Sequence, residues 1–338
     1  KDLRQSYVAD EVFATGDVLG DPRKINNRDY YVGVFDGSTP HGDIKYAGPV
    51  KDFKTPPKVA ADPDRRSLLR TEWMQEFFKT STLPIGHGFN LTDVENGFAC
   101  YSFVPKSNIP LKVIVLDNTQ QEDSGSVDIH GHGFLDSVRW AWLKKELADG
   151  SAAGQLMIIA AHVPIGVEVT APNSEMGWWT DPQNAVTLPD LIAELQSHPN
   201  FIMWIAGHRH LNTVKAFVSP DPVGAPEKGF WQVETSSLRD FPQQFRTFEI
   251  YLNNDATISI MITNVDPAVL EGTPAATSRK YAIAAAQIAG TWDTLTNWNP
   301  TNDPTIKLMP NGSYNAELVT PLSPAMGKIL QNIETTQR

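Results

Sequence analysis

Three histidines follow apolar segments of the chain at a spacing that could hold a metal ion. His162 comes directly after residues 156–161, and His208 and His210 follow residues 201–206 as Gly-His-Arg-His. In an extended segment side chains alternate, so His208 and His210 would point to the same side. Neutral imidazole is a common ligand of Zn, Fe and Mn. A single histidine at a strand end is more often structural, but the three together predict a metal site.

Such a site requires separate segments to meet at one edge of a sheet. Residues 111–116, 156–161 and 201–206 are nearly continuous apolar runs, which are typical of strands covered on both faces. Two helices are predicted between them, one from Leu135 that stops at Asp149-Gly150 and one over residues 188–198. Alternating strands and helices predict an α/β sheet, and ligands bind beyond the carboxyl ends of its strands. Asp117 and the three histidines occupy those ends.

The flanking parts of the chain have a different character. Four segments after His210 are predicted to be strands of an antiparallel second sheet packed behind the first. These strands are residues 213–218, 230–234, 247–252 and 257–263. A helix is predicted to follow over residues 277–289. Residues 1–64 have little periodicity apart from one strand at 30–35, and a helix is predicted from Asp64 to near Thr80.

Composition excludes several classes of protein. The 338 residues include 28 Lys+Arg and 39 Asp+Glu, for a net charge of −11, which argues against nucleic-acid binding. The chain has no run of about 18 apolar residues, so no membrane span is predicted. Cys100 is the single cysteine, which excludes an internal disulfide framework and a cysteine-based zinc cluster. We expect it to be a small core residue.

The histidine motifs have a counterpart in a known family. The segment Ala161-His162-Val163-Pro164, followed by Ala206-Gly207-His208-Arg209-His210, resembles the calcineurin-like metallophosphoesterase superfamily, and the resemblance covers residues 98–265. It implies an α/β/β/α sandwich of two packed mixed sheets flanked by helices. It also implies hydrolysis of phosphate mono- or diesters by two divalent or trivalent transition-metal ions (Mn, Fe or Zn). By position, His162 and His208 would bind one ion and His210 the other.

The upstream motifs of that family are missing from this chain. The family has Asp-x-His, Gly-Asp-x-x-Asp and Gly-Asn-His before the middle histidine, and no Gly-Asn-His occurs in residues 1–161. We therefore expect the chain to carry the histidine half of the site and to lack the first strands. An N-terminal segment or a second chain would complete the site. A start at Lys1 would suit an exported protein whose N-terminal part is removed.

The expected organisation has three parts. Residues 1–97 form an irregular excursion plus a helix packed on the main domain, residues 98–290 form the sandwich, and residues 291–338 form a C-terminal extension. Two other functions stay open: a non-catalytic or incomplete module of the same fold, and a zinc hydrolase in which three histidines hold one ion. The sequence identifies no catalytic residue beyond the metal ligands.

Three further residues are candidates for substrate contact, the substrate being a phosphorylated small molecule or a phosphodiester. His87 lies in a glycine-flanked loop that could border the site, although a turn residue has the same pattern. Trp178 follows His162 in a loop rich in glycine and proline, where it could line the site or only fix the loop. Arg239 could contact a phosphate, or could pair with the neighbouring Asp240.

Overall fold

Two β-sheets, packed face to face and flanked by helices, form the main part of the molecule. The computed structural model describes residues 6–8, 11–19, 29–36, 43–49, 69–119, 133–166, 184–208, 210, 212–239, 243–280, 282 and 315–337. The predicted α/β class and the layering of two sheets with helices are confirmed.

The first sheet has six strands in the order β5-β6-β7-β8-β10-β9. The strands are β5 (Tyr101–Phe103), β6 (Leu111–Leu116), β7 (Leu156–Ala161), β8 (Phe201–Ala206), β9 (Thr213–Phe217) and β10 (Phe230–Glu234). β6, β7, β8 and β10 are parallel, and the two edge strands are antiparallel to their neighbours. The three predicted apolar strands are confirmed with the same bounds, and their carboxyl ends share one edge of the sheet.

The second sheet consists of β11 (Phe245–Leu252), β12 (Thr257–Val265) and β13 (Ala316–Pro321). All of its described pairs are antiparallel, as predicted from the residues, whereas the family resemblance implied a mixed sheet. The prediction that residues 213–218 and 230–234 belong to this sheet is wrong, because both segments join the first sheet. Val233 packs between the sheets while Phe230 packs under the helices, so β10 is covered on both faces like its parallel neighbours.

β13 lies in the part of the chain that was expected to be a C-terminal extension. It pairs with β12 over Thr257–Ile262, and Leu318 and Met326 contribute to the core between the sheets. The last described helix, Pro324–Gln337, follows directly. This segment therefore completes the sandwich through the apolar surface it buries.

Two helices cover the other face of the first sheet. They are α3 (Ser137–Ala152) and α4 (Leu188–Ser197), and they pack against Ile114, Ile159 and Trp204. Asp136 caps α3 by accepting a hydrogen bond from the N–H of Arg139, and Thr187 caps α4 by accepting one from the N–H of Asp190. No helix in the described part of the chain is both long and apolar enough to cross a membrane.

The predicted end of α3 at Asp149-Gly150 is wrong. Gly150 lies inside the helix, where a Cβ atom would be 2.4 Å from Sδ of Met157, so its small size serves the packing of α3 on β7. The helix ends instead at Ala152, and Gly154, two residues later, has a φ of +63° that is accessible to glycine. The N–H groups of Gly154 and Gln155 donate to the carbonyls of Ser151 and Gly150, which is a Schellman motif.

The N-terminal part is more regular than expected. Its four strands, in the order β1-β2-β3-β4, form an antiparallel sheet; they are Ser6–Val8, Glu11–Leu19, Asp29–Asp36 and Asp43–Pro49. The strand expected at 30–35 is confirmed, but the expectation of an otherwise irregular segment is wrong. The proposed division of the chain into three parts stays a prediction.

Two short helices connect this region to the first sheet. They are α1 (Arg70–Glu76), which ends before the predicted Thr80, and α2 (Leu91–Glu95). Phe89 packs against Trp73 and Tyr101, with ring centres 6.1 and 5.3 Å apart, so α1 rests on the β5 edge of the sheet. A helix is predicted over residues 277–289. Residues 277–280 and 282 are described and are helical, and the helix begins earlier, at residue 274.

Candidate functional site

The register of the parallel strands aligns their carboxyl ends. Leu116 is opposite Ala161, and Ala206 is opposite Glu234. The N–H of Gly207 donates to the carbonyl of His162 at 3.0 Å, which joins the ends of β7 and β8. The residues that follow β6, β7 and β8 therefore lie side by side, where an α/β sheet presents its ligand-binding groups.

His162 and His208 meet at this edge. Their ring centres are 5.1 Å apart and the ring planes are 82° to each other. His162 is exposed and His208 is half-buried. Because a metal–nitrogen bond is about 2.1 Å long, two imidazoles at this separation are close enough to share one ion.

The expectation that His208 and His210 lie in an extended segment is wrong. β8 ends at Ala206, and φ is +74° at His208 and +59° at His210. Residues other than glycine rarely adopt this left-handed conformation, and each such residue costs about 1 kcal/mol or more. The turn from β8 to β9, and not the alternation of a strand, therefore sets the directions of these two side chains.

The donor groups of the edge fit only part of a metal site. Within the described ranges, no three His, Cys, Asp or Glu side chains are grouped so that they could hold a metal ion. The His162–His208 pair offers two nitrogen ligands, whereas a dinuclear centre also needs carboxylates that bridge its ions and limit their charge. The assignment of His162, His208 and His210 as metal ligands stays a prediction.

Asp117, considered as a neighbour of the metal site, has other partners. Its carboxylate forms an ion pair with Nη1 of Arg70 and accepts hydrogen bonds from the N–H and Oγ1 of Thr119. Nη1 of Arg139 is 3.5 Å from Oδ2 of Asp117 and donates to the carbonyls of Asp117 and Thr119, both at 2.7 Å. This arginine-bound carboxylate is poorly suited to take up a cation.

The same corner contains two groups with shifted pKa values. Burial alone would raise the pKa of Asp136, but the N–H and guanidinium of Arg139 hold it below its usual value. Burial raises the pKa of the Cys100 thiol to about 12, so the thiol is protonated at neutral pH. Cys100 is 2% exposed and accepts a hydrogen bond from the N–H of Asp117, which confirms its place in the core.

Two buried amide side chains fix the loop that follows His162, and the sequence analysis missed both. Asn118 exchanges hydrogen bonds of 2.8 and 3.0 Å with the backbone of Val163. Oε1 of Gln232 accepts from the N–H groups of Ile165 and Gly166, both at 2.7 Å. Gln232 stands between two apolar residues, Trp231 and Val233, inside β10. This was the available signal, because a buried amide side chain needs hydrogen-bond partners.

Glu234 is a third buried residue that the sequence analysis missed. It ends β10 at the same edge, is fully buried, and accepts a hydrogen bond from Oγ1 of Thr213 at 3.0 Å. Gln232 and Glu234 are two residues apart in a strand, so they share a face. Polar residues at every second position of a strand that is otherwise apolar could have identified Gln232 and Glu234 as candidates for buried polar groups.

The three candidates for substrate contact stay predictions. His87 occupies a turn with φ +50°, where Nε2 is 2.9 Å from Oγ1 of Thr82 and the ring packs on Phe77. Arg239 is exposed in the loop that follows β10, and its N–H donates to Oγ of Ser237. Trp178 lies outside the described residues, as does Asp240, the proposed partner of Arg239.

No protein-family model and no curated protein matches this sequence. Among solved structures, the chain is similar to a dimetal phosphatase from Danio rerio, with 14% sequence identity and a TM-score of 0.37. The similarity covers 57% of this chain and 64% of the phosphatase chain, so less than two thirds of the length of that protein is matched. The two ions and the phosphatase activity are properties of that protein.

Proposed function

We propose that the protein hydrolyses phosphate mono- or diesters with the help of metal ions bound at the carboxyl edge of the first sheet. The observation that carries the proposal is the pair of imidazoles from two neighbouring parallel strands, His162 and His208, with ring centres 5.1 Å apart. Imidazole nitrogens suit Mn, Fe and Zn. When bound, such ions lower the pKa of a coordinated water and offset charge on the phosphoryl oxygens.

In this proposal the residues of the edge have separate tasks. His162 and His208 bind one ion, and His210 binds a second. The remaining ligands come from residues beyond those described or from another chain. Asn118 and Gln232 fix the backbone that follows His162, and such outer partners orient metal ligands. Arg239, exposed after β10, supplies positive charge for a phosphate group.

A non-catalytic module of the same fold is the second candidate. It is favoured by the ion pairs that occupy Asp117 and by the absence of a three-residue metal group in the ranges that the structure describes. A zinc hydrolase with three histidines on one ion is favoured less, because His210 would have to join His162 and His208 in such a group.

Metal analysis combined with turnover separates these functions. The purified chain is incubated with Mn²⁺, Fe²⁺ or Zn²⁺, and bound metal is measured by mass spectrometry beside hydrolysis of p-nitrophenyl phosphate and of its diester. The proposal predicts bound transition metal and turnover. The variant His208→Ala should reduce turnover by more than about 100-fold, which exceeds the usual cost of losing an outer partner.

His198→Ala is the matched control for that variant. His198 directly follows α4. Its Nδ1 is 2.9 Å from Oγ of Ser151 and its Nε2 is 3.3 Å from Oε1 of Glu194, so its partners are outside the proposed site and its loss should leave turnover unchanged. A chain that binds no transition metal and hydrolyses neither ester would support the non-catalytic module.

A further inference from the structure

Two buried amide side chains, Asn212 and Gln244, connect the turn of His208 and His210 to Asp266, an exposed carboxylate at the second sheet. Oδ1 of Asn212 accepts from the N–H of Ser236 at 3.1 Å, and Nδ2 of Asn212 donates to Oε1 of Gln244 at 2.8 Å. Nε2 of Gln244 then donates to Oδ1 of Asp266 at 2.9 Å. We name Asn212, Gln244 and Asp266 the amide relay.

The position of the amide relay relates it to the imidazole pair. Asn212 lies two residues after His210 and directly before β9, and Ser236 follows β10 at the edge where His162 lies. Gln244 directly precedes β11 and Asp266 directly follows β12, so both lie at one end of the second sheet. The relay therefore joins the two sheets at the end that presents the histidines.

Burial gives the relay a fixed direction. Asn212 is 6% exposed and Gln244 is 7% exposed. Each amide uses its oxygen as an acceptor and its nitrogen as a donor, so a rotation that exchanges oxygen and nitrogen would break two hydrogen bonds. An unsatisfied buried polar group costs about 1–3 kcal/mol, which is enough to keep a single arrangement.

The turn that the relay holds is a strained one. His208 and His210 both have positive φ, and such conformations persist only where the surroundings determine them. The start of the turn is held by the hydrogen bond from Gly207 to His162. Its end is held by Asn212 through Ser236 and Gln244.

We propose that the amide relay positions His208 and His210 for metal binding, with Asn212 and Gln244 as positioning residues. This inference rests on the proposed function, because it takes His208 as a metal ligand. It adds that metal affinity depends on the hydrogen bond between the buried Gln244 and the exposed Asp266, which flank the strands of the second sheet.

A compensating pair of substitutions tests the relay. Gln244→Glu removes the donor to Asp266 and places two carboxylates at hydrogen-bond distance. Adding Asp266→Asn returns a donor at that distance, so the double variant rebuilds the relay with the hydrogen bond reversed. In the full chain, Gln244→Glu should weaken Zn²⁺ binding about 10- to 100-fold, measured by calorimetry with the metal alone, and the double variant should restore it.

A second readout does not depend on metal. NMR signals of the His208 and His210 ring protons, recorded without metal, should move in Gln244→Glu and return in the double variant. If Gln244→Glu does not fold, Asn212→Asp replaces it, because it removes the donor to Gln244 and keeps the acceptor for Ser236; its ring signals should move likewise.

The control is Asn253→Ala. Nδ2 of Asn253 donates to Thr257 and Ser259 at the other end of the second sheet, so its loss should lower stability and leave Zn²⁺ affinity and the ring signals unchanged. Ring signals that stay in place in a folded Gln244→Glu or Asn212→Asp variant, or a double variant that restores nothing, would overturn the relay. A wild-type chain that binds no metal while its ring signals respond as expected would overturn the proposed function and leave the positioning of the histidines established.

Discussion

The end of β6 and the ends of β7 and β8 lie at the same edge of one sheet, but they are built in opposite ways. At the end of β6, Asp117 is paired with Arg70 and lies near Arg139, which is 2% exposed. At the ends of β7 and β8, His162 is exposed and its ring is 5.1 Å from that of His208. We name these two regions the arginine corner and the imidazole pair.

The difference shows why two clusters of ionisable residues need not have the same purpose. The charges of the arginine corner are partly or almost fully buried, and each has a partner of opposite charge inside the protein, which offsets the cost of burial. Imidazole is neutral over much of the physiological pH range and needs no counter-charge. The arginine corner therefore connects α1, β6 and α3, while the imidazole pair consists of side chains of the type that binds transition-metal ions in proteins.

Arg139→Leu should produce the largest loss of stability. The substitution removes the guanidinium that donates hydrogen bonds to the carbonyls of Asp117 and Thr119. It also removes the ion pair with Asp136, in which Nε of Arg139 is 2.8 Å from Oδ2 of Asp136. Leaving these buried groups without a partner should lower the free energy of unfolding by about 3 kcal/mol. Urea denaturation followed by circular dichroism measures this loss.

Lys145→Ala is the control on the same helix. Lys145 pairs with Asp149 on the exposed face of α3, where an ion pair is screened by solvent. It should leave the unfolding midpoint unchanged. An Arg139→Leu protein as stable as the control would mean that the arginine corner does not stabilise the fold.

Asp136→Asn tests the electrostatic part of the same corner. Asparagine is as good a helix cap as aspartate, so the variant keeps the cap and removes the charge and the Oδ2 acceptor that pair with Nε of Arg139. The pKa of Asp136 is below its usual value in the folded protein, so its charge contributes stability above the unfolded pKa of about 3.9, and that contribution is lost as the pH falls through the folded value.

The expected difference in unfolding free energy is therefore about 1 kcal/mol at pH 7, and it should vanish in acid. Urea denaturation of both proteins from pH 7 to pH 3 measures it. A difference that stays constant over this range would show that the cap, and not the charge, accounts for the effect.

The features that the sequence predicted depend on local patterns. Residues 156–161 and 201–206 are apolar throughout because both faces of these strands are covered, and their bounds were predictable for that reason. The place of β10 between β8 and β9 depends on a partner distant in sequence, so local alternation gave the wrong sheet. Gly150 is wrongly predicted to end a helix. The reason for a glycine at this position is its close contact with Met157, which belongs to the next strand and could not be inferred from the local pattern.

The candidate site divides in the same way. His162 and His208 follow predictable strands, so their common edge could be inferred. The partner of Asp117 could not, because Arg70 is 47 residues away on a helix outside the sandwich. The left-handed turn at His208 could not be predicted from the local sequence either. The hydrogen bonds at its two ends involve His162, which follows β7, and Gln244, which precedes the second sheet, and both are distant in sequence.

Among the substitutions at this edge of the sheet, His162→Ala should have the smallest effect on stability, and it gives the sharpest comparison with Arg139→Leu. Its side chain is exposed, and substitutions at such positions usually change the free energy of unfolding by less than about 0.5 kcal/mol. His198→Ala should cost more, because His198 is joined to Ser151 and Glu194. Both variants are measured by urea denaturation without metal and by calorimetric titration with Zn²⁺. If His162→Ala costs as much as Arg139→Leu, the imidazole pair is a structural contact like the arginine corner; if it lowers only the Zn²⁺ affinity, the two regions have the separate purposes that their burial indicates.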